Sequence, residues 1–153
     1  MIRFSVISAP DPGCGPLERL RRYASIPDGS HDVLLSGLLK RAALTVQEYA
    51  DASVIPCIFR LTVDGYNGNP VRLYQSSPEV ISVTDSEHNP VDWSLRGNYL
   101  ITLGNVRHLD IVYRTTPDEG EVDRLMPVVL RYATALYDGL DGEELSAILA
   151  EVC

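Results

Sequence analysis

Two amphipathic helical stretches with a run of short strands between them constrain the fold of this chain more than any other feature. In the first stretch, His31–Ala50, apolar residues recur at steps of three and four: Leu35, Leu38, Leu39, Ala42, Val46 and Tyr49. In the second stretch, Asp123–Asp138, the apolar positions are Val129, Leu130, Ala133, Leu136 and Tyr137. This period is that of an α-helix with a buried face. We therefore predict two long helices that flank a β region.

The segment between the helices has the period of two that is typical of β-strands. In the first run, Cys57, Phe59, Leu61 and Val63 alternate with other residues. Five more short runs follow, separated by turns such as Asn67-Gly68 and Arg96-Gly97-Asn98: Val71–Tyr74, Glu79–Thr84, Val91–Leu95, Tyr99–Leu103 and His108–Arg114. Strands at this spacing favour antiparallel neighbours. We predict an antiparallel β-sheet or a small barrel inserted between helices, and hence an α+β fold.

The two ends of the chain complete this organisation. Residues 1–16 contain three Pro and two Gly in their last seven positions and predict an extended arm. A short basic helix, Leu17–Ala24, follows Pro16, and a last short helix, Glu143–Val152, is capped by Asp141. Pro127 is predicted within the first turn of the second long helix. The prediction is a single domain over 1–153, with an arm at 1–16, helices at 17–50, a β insertion at 57–114 and C-terminal helices at 122–153.

Charge and cysteine content exclude several classes of protein. The chain of 153 residues has a net charge of −8, and residues 114–153 hold nine acidic against three basic side chains. Binding to nucleic-acid phosphates needs clustered Lys and Arg, so an acidic C-terminal third argues against it. The three cysteines have no CxxC spacing, so neither a disulfide framework nor a zinc site is indicated. No run approaches the ~18 apolar residues of a membrane span, so we expect a soluble protein without a membrane partner.

The sequence contains none of the motifs that mark catalytic or cofactor sites. None of the three histidines, His31, His88 and His108, has a second His or Cys three or four residues away, as a metal site on one element needs. We therefore expect surface or capping histidines. The turn 64–69 is rich in oxygen ligands but lacks the register of a calcium loop, and no phosphate-binding or nucleophile-elbow motif is present. The sequence predicts no catalytic residues, no cofactor and no metal, and so not an enzyme.

Taken in order, these segments resemble the head–tail connector proteins of tailed phages, also called adaptor or head-completion proteins. The match covers nearly the whole chain, and its specific part is the order of five loose apolar patterns: Pro16–Tyr23, Asp32–Tyr49, Pro70–Val83, Ile111–Tyr113 and Pro127–Tyr137. In one place the chain departs from the family pattern. Members usually have Gly after the Tyr of the last strand, whereas this chain has Arg114-Thr115-Thr116-Pro117.

The resemblance implies a structural role in the virion neck, in a particle assembled in the cytoplasm of a bacterial host. Such proteins form a ring with themselves, commonly a dodecamer, beneath the portal protein, and they offer a surface to a stopper or tail-completion protein. DNA passes through the channel without sequence-specific binding. By this analogy the strand-rich segment Tyr74–Leu103 faces the downstream partner. The implied portal contact is the C-terminal helix, with Glu143, Glu144, Leu145, Ile148, Leu149 and Val152.

Two physical arguments extend this reading of the sequence. Helices that are apolar on more than one side suit a head-to-tail ring, which uses two different patches per subunit, and the predicted subunit contacts are Leu34, Leu44, Val128 and Tyr132. A single exposed leucine is also normal on a monomer. Twelve copies at −8 carry about −96 in total, which would repel DNA phosphates in a channel. The acidic residues predicted to line it are Asp118, Glu119, Glu121 and Asp123.

Two other functions fit the same sequence. One is a different neck or tail-completion protein of a phage that happens to have similar helices. The other is an α+β binding module outside viruses, such as a regulatory or ligand-binding protein of bacteria. Co-assembly with a portal protein separates the connector from both.

Overall fold

A computed structural model describes residues 2–10, 14–75 and 77–152, without the side chain of Cys14. Part of the predicted arm, 11–13, lies outside the described residues, as does Cys153. The strands are Ile2–Ser8 (β1), Cys57–Asp64 (β2), Val71–Arg72 (β3), Pro78–Thr84 (β4), Trp93–Arg96 (β5), Tyr99–Thr102 (β6) and His108–Thr115 (β7). The helices are Cys14–Tyr23 (α1), Asp32–Ala50 (α2), Glu119–Tyr137 (α3) and Gly142–Leu149 (α4), with a 3₁₀ turn at Ala150–Val152. The predicted α+β class is confirmed.

The chain divides into two compact units. The strand unit comprises Met1–Ala9 and Pro56–Thr116, and the helical unit comprises Pro10–Ile55 and Pro117–Cys153. Each unit is therefore built from two separate stretches of sequence. The single domain predicted over 1–153 stays a prediction.

In the helical unit, α2 ends where its backbone turns left-handed. Asp51 has φ 50°, and its N–H bonds to the carbonyl oxygens of Gln47 and Glu48. The buried side chain of Gln47 accepts hydrogen bonds from the backbone N–H groups of Val54 and Ile55, at 3.2 and 3.3 Å. A buried polar side chain is tolerated when its hydrogen bonds are made. Gln47 thus fixes the direction in which the chain leaves the helix.

Helix α3 begins earlier than the sequence predicted. Asp118 is its N-cap, with a carboxylate oxygen that accepts the N–H of Glu121 at 3.3 Å. Pro127 is therefore the ninth residue of α3 and not part of its first turn, so that prediction is wrong. Proline in a helix interior removes one hydrogen bond and costs about 3 kcal/mol. The buried neighbours of Pro127, Met126 and Val128, hold this turn in the core despite that cost.

The core of the helical unit is mostly aliphatic and forms between α1, α2 and α3. Leu20, Leu35 and Leu125 are fully buried, one from each helix. No residue of α4 is fully buried, and its half-buried side chains pack against this core from one side. The predicted bundle of a short helix, a long helix and two C-terminal helices is confirmed.

The strand unit contains two antiparallel sheets and not a closed barrel. One sheet has the order β1-β2-β7-β4, and the other has the order β3-β6-β5. The sequence left a sheet and a small barrel open, and the barrel is excluded for the described residues. The predicted arm at 1–16 is also corrected. Residues 2–8 are extended but are paired with β2, with Phe4 opposite Leu61, and α1 already begins at Cys14.

An aromatic group fills the core of the strand unit. The rings of Phe4 and Phe59 stack with their centroids 4.9 Å apart, and Phe59 and Tyr113 are 5.5 Å apart. The buried hydroxyl of Tyr113 accepts the backbone N–H of Tyr74 at 3.1 Å and donates to the carbonyl of the same residue. These two hydrogen bonds tie the segment after β3 to strand β7.

Candidate functional site: assembly surfaces

Charge is distributed unevenly between the two units. The strand unit holds six acidic and six basic side chains, whereas the helical unit holds fifteen acidic and seven basic ones. The helical unit therefore carries the whole net charge of −8. The excess of negative charge that would repel phosphates therefore lies in this unit.

The four predicted channel residues lie together at the start of α3. Asp118 caps the helix, and Glu119, Glu121 and Asp123 follow within its first five residues. Glu119 and Asp123 are four positions apart and so share one side of the helix. Carboxylates near a helix N-terminus are stabilised by the unpaired N–H groups there. Stabilisation of the helix start is therefore a sufficient reason for acidic residues at these positions.

The six predicted portal-contact residues are divided between two environments. Glu143 and Glu144 are exposed in the first turn of α4, where the carboxylate of Asp141 accepts the N–H of Glu144 at 3.0 Å. The four apolar members are half-buried and pack against the core of the helical unit: Leu145, Ile148, Leu149 and Val152. Only the edge of this apolar face is available to another protein.

The four predicted subunit contacts also differ in accessibility. Leu34 is 53% exposed and follows Val33, which is 92% exposed, so the first turn of α2 has an apolar surface. Leu44 is half-buried. Val128 and Tyr132 are only 8% and 7% exposed because they pack in the core of their own helical unit. This burial leaves Val128 and Tyr132 little surface for a neighbouring subunit.

An ion pair fastens the end of the chain to α3. The two terminal guanidinium nitrogens of Arg131 donate to the carboxylate of Glu151. The hydrogen bonds raise the pKa of Arg131 and lower the pKa of Glu151. The pair is solvent-exposed, so its contribution to stability is small.

In the strand unit, His108 bridges two carboxylates. Its Nδ1 lies 2.5 Å from Asp64 Oδ1, directly across the β2–β7 pair, and its Nε2 lies 3.4 Å from Asp110 Oδ2. The hydrogen bond with Asp64 raises the pKa of His108, partly opposed by burial. Burial acts to raise the pKa of Asp110, but hydrogen bonds from Thr62 and His108 lower it overall. Arg3 of β1 joins the group through Asp64 at 3.3 Å, so these charges link three strands.

The segment Tyr74–Leu103, predicted to face a downstream partner, exposes five large apolar side chains: Tyr74, Ile81, Trp93, Tyr99 and Leu103. Beside Tyr74 and Tyr99 lies an open cavity of about 430 Å³, with Arg72 in its lining. The guanidinium of Arg72 stands over the ring of Tyr74, 5.5 Å from the centroid. Sequence patterns did not single out Arg72 or this cavity.

Within residues 2–10, 14–75 and 77–152, no three or more His, Cys, Asp or Glu side chains are grouped so as to hold a metal ion. None of the helices described is long and apolar enough to cross a membrane.

Solved structures with this fold come from a gene transfer agent (GTA) particle. A chain from the neck of the empty particle, computed with C6 symmetry, has a TM-score of 0.71 at 16% identity, covering 98% of this chain and 94% of that one. A chain from the neck of the native particle, computed with C12 symmetry, has a TM-score of 0.67 with the same identity and coverage. A chain from the virion of the native particle has a TM-score of 0.66 at 16% identity, with 97% and 93% covered.

Comparisons of the sequence gave no relatives. No protein-family model matches this chain. No curated protein matches it. The chain thus has the fold of a neck chain of a gene transfer agent particle, and the resemblance to head–tail connector proteins is confirmed at the level of the fold.

Proposed function

We propose that this chain is a structural protein of a virion neck, where it forms a ring between the portal and the stopper or tail. The observation that carries the proposal is the likeness in fold to a GTA neck chain over 98% of the sequence. The likeness in fold covers both units of the chain, so it is stronger support for a neck protein than a shared pair of helices would be. A neck protein of this kind acts by assembly and needs no catalytic group.

The ring contains twelve copies in this proposal, since one of the similar chains belongs to a neck computed with C12 symmetry. Each copy then presents two different patches to its two neighbours. The apolar first turn of α2, with Val33 and Leu34, is one candidate patch because both side chains are exposed. Leu44 contributes less, and the buried Val128 and Tyr132 are not included.

The acidic start of α3 lines the DNA channel in this proposal. Glu119 and Asp123 share one side of the helix and are exposed. Negative side chains on a channel wall repel the phosphates of passing DNA, so the genome does not adhere. Asp118 and Glu121 act mainly through the helix cap.

The portal contact is assigned to the exposed edge of α4 and the downstream contact to the segment Tyr74–Leu103. Glu143 and Glu144 are accessible, and the half-buried apolar residues behind them fix the orientation of the helix. In the segment Tyr74–Leu103, which belongs to the strand unit, the side chains of Trp93 and Leu103 are exposed. The two contacts therefore use different units.

The test is assembly with a portal protein, because a ring subunit can stay monomeric until the portal is present. The purified chain is mixed with the portal of its own particle, and the complex is examined by negative-stain imaging and mass measurement. We expect a ring of about twelve copies on the portal. Leu34→Asp should prevent it, whereas the exposed control Glu48→Gln should not. A chain that stays a compact monomer and does not bind the portal would contradict the proposed function.

A further inference from the structure

A tyrosine between two arginines stands out on the three-stranded sheet. In the register of β3-β6-β5, Tyr99 lies directly between Arg72 and Arg96. Residues paired directly across antiparallel strands lie on the same face of the sheet, and neighbouring strands are about 4.8 Å apart, so Arg72, Tyr99 and Arg96 form a row on one face. Tyr99 is 48% exposed, and Arg96 is exposed and makes no hydrogen bond or ion pair with any described residue. We call these three residues the arginine row.

Two members of the arginine row, Arg72 and Tyr99, border an open recess whose lining includes both apolar side chains and the polar side chains of Asp64, Asn67 and Asn69. Arg72 and Tyr99 line the open cavity of about 430 Å³, together with Tyr74, Val71 and Pro70. A cavity of this size is in the range of pockets that take a small ligand or a single large side chain. Arg72 lies at the recess and Arg96 lies on the other side of Tyr99, so this surface is complementary to an apolar side chain with carboxylates on both sides.

The acidic third of the chain contains such a group. Among the described residues after 103, Leu140 is the one large apolar side chain that is exposed, at 41%. Asp138 and Asp141 lie on either side of it, and both are exposed. We call Asp138–Gly142 the acidic loop. The acidic start of α3 has no exposed large apolar residue, which distinguishes the two acidic groups.

Backbone hydrogen bonds tie the acidic loop to the end of α3. Gly139 adopts φ 73°, and the N–H groups of Gly139 and Leu140 bond to the carbonyls of Leu136 and Ala135 at 3.2 and 3.0 Å. Asp141 is fixed as the cap of α4. Because the loop is ordered before binding, little conformational entropy is lost when it docks.

We propose that the arginine row of one copy binds the acidic loop of a second copy of this chain. Leu140 enters the recess beside Tyr99, and Asp138 and Asp141 face Arg72 and Arg96. The contact joins the strand unit of one copy to the helical unit of the next, so it is heterologous and can close a ring. This inference rests on the proposed ring, and it adds a contact to the apolar turn of α2.

Charge distribution supports a second copy as the occupant. The strand unit has no net charge but exposes the arginine row, while the helical unit carries the full −8. Opposite charges across an interface favour the correct register and oppose contacts between like units. Two strand units or two helical units have no such complementarity.

Disulfide trapping tests this contact even if it is transient in the isolated chain. Tyr99→Cys and Leu140→Cys are combined in a background with Cys14→Ser and Cys153→Ser, since Cys57 is buried. A disulfide needs Cα atoms within about 7 Å, so only close contact allows it. Under mild oxidation we expect a ladder of dimers, trimers and higher oligomers. Each single-cysteine variant should stop at dimers, and a double variant without a ladder would overturn the proposal.

Charge reversal tests the chemistry of the same contact. Arg96→Glu should slow formation of the ladder about tenfold, and adding Asp138→Arg should restore most of the rate. Arg107→Glu, an exposed residue of the same unit with the same change of charge, should have little effect. Equal effects of Arg96→Glu and Arg107→Glu would reduce the result to net charge and contradict the proposal.

Assembly on the portal separates this inference from the proposed function. If the Arg96→Glu variant forms rings on the portal as well as the unchanged chain does, the arginine row is not a contact between copies, and the inference fails while the proposed ring is unaffected. If neither the unchanged chain nor any variant assembles on the portal, the proposed function fails. A loss of rings in Arg96→Glu that Asp138→Arg restores supports both.

Discussion

The two units of this chain reach a folded structure by different means. The helical unit is acidic, with an aliphatic core and helices whose starts are marked by Asp118 and Asp141. The strand unit is electrically neutral, with stacked aromatic rings and a histidine that bridges two aspartates. The first depends on signals within a few residues, and the second on residues brought together from distant positions. The difference decides which parts can be predicted from sequence and which mutations cost most.

The largest expected effect is the removal of an aromatic ring from the strand unit. Phe59→Ala should lower the free energy of unfolding by about 3–5 kcal/mol, because Phe59 is fully buried between Phe4 and Tyr113. Urea unfolding followed by the fluorescence of Trp93, the one tryptophan of the chain, measures it. Tyr99→Ala, at an exposed position of the same unit, is the control and should cost far less. A loss below about 1 kcal/mol for Phe59→Ala would contradict the aromatic core.

The helical elements could be predicted because their signals are local. The period of α2 and its observed end at Ala50 agree, and Asp141 was recognised as a cap before α4. The start of α3 was missed because Pro127 suggested a first turn, while the effective signal was Asp118. A helix cap far ahead of a proline and the proline itself indicate different starts for the helix. In α3 the cap at Asp118 and the buried face set the start, although Pro127 then lies in the helix interior.

The surfaces of the strand unit could not be predicted in the same way. The arginine row depends on which residues face each other across three strands, and the interval between Arg72 and Arg96 in sequence gives no hint of this register. His108 was expected to be an ordinary surface histidine, but β2 places Asp64 opposite it. The pairing of residue 64 with residue 108 is a property of the sheet, not of either segment.

The next effect contrasts two leucines of the helical unit. Leu125→Ala should cost about 2–5 kcal/mol because Leu125 is fully buried in α3. Leu145→Ala, in α4, should cost about 1 kcal/mol because that side chain is half-buried. Chemical unfolding monitored by far-UV circular dichroism measures both. Equal losses would mean that α4 belongs to the core as fully as α3, and would weaken its assignment to an outside partner.

Loss of a helix cap should have an effect of intermediate size. Asp118→Ala should destabilise the helical unit by about 0.5–2 kcal/mol, because the N–H of Glu121 loses its acceptor. Asp123→Ala removes the same charge from the same helix without a cap and is the matched control. Thermal unfolding of both variants at one pH compares them. If the two losses are equal, charge near the helix start and not capping is responsible.

The smallest expected effect depends on pH and belongs to the strand unit. The pKa of His108 is raised in the folded chain, so the stabilisation from the charged imidazole is fully present below about pH 6.5 and is lost as pH rises through the folded value. Arg3, Arg60, Asp64 and Asp110 are the charged groups that face it. His108→Asn keeps a donor toward Asp64 but does not titrate.

The unchanged chain should therefore be more stable than His108→Asn by up to about 1 kcal/mol at pH 6, and the advantage should shrink toward pH 9. Asp110 has a lowered pKa in the folded chain, so its contribution to stability is lost as pH falls through the folded value. At low pH this loss adds to the effect of His108, and the comparison of the two chains is therefore made at pH 6 and above. His88→Asn is the control, since His88 lies in an exposed turn with φ 64°, which Asn tolerates. An advantage that grows with pH would show that His108 is neutral in the folded chain, and would leave the strand unit without its charged link between strands.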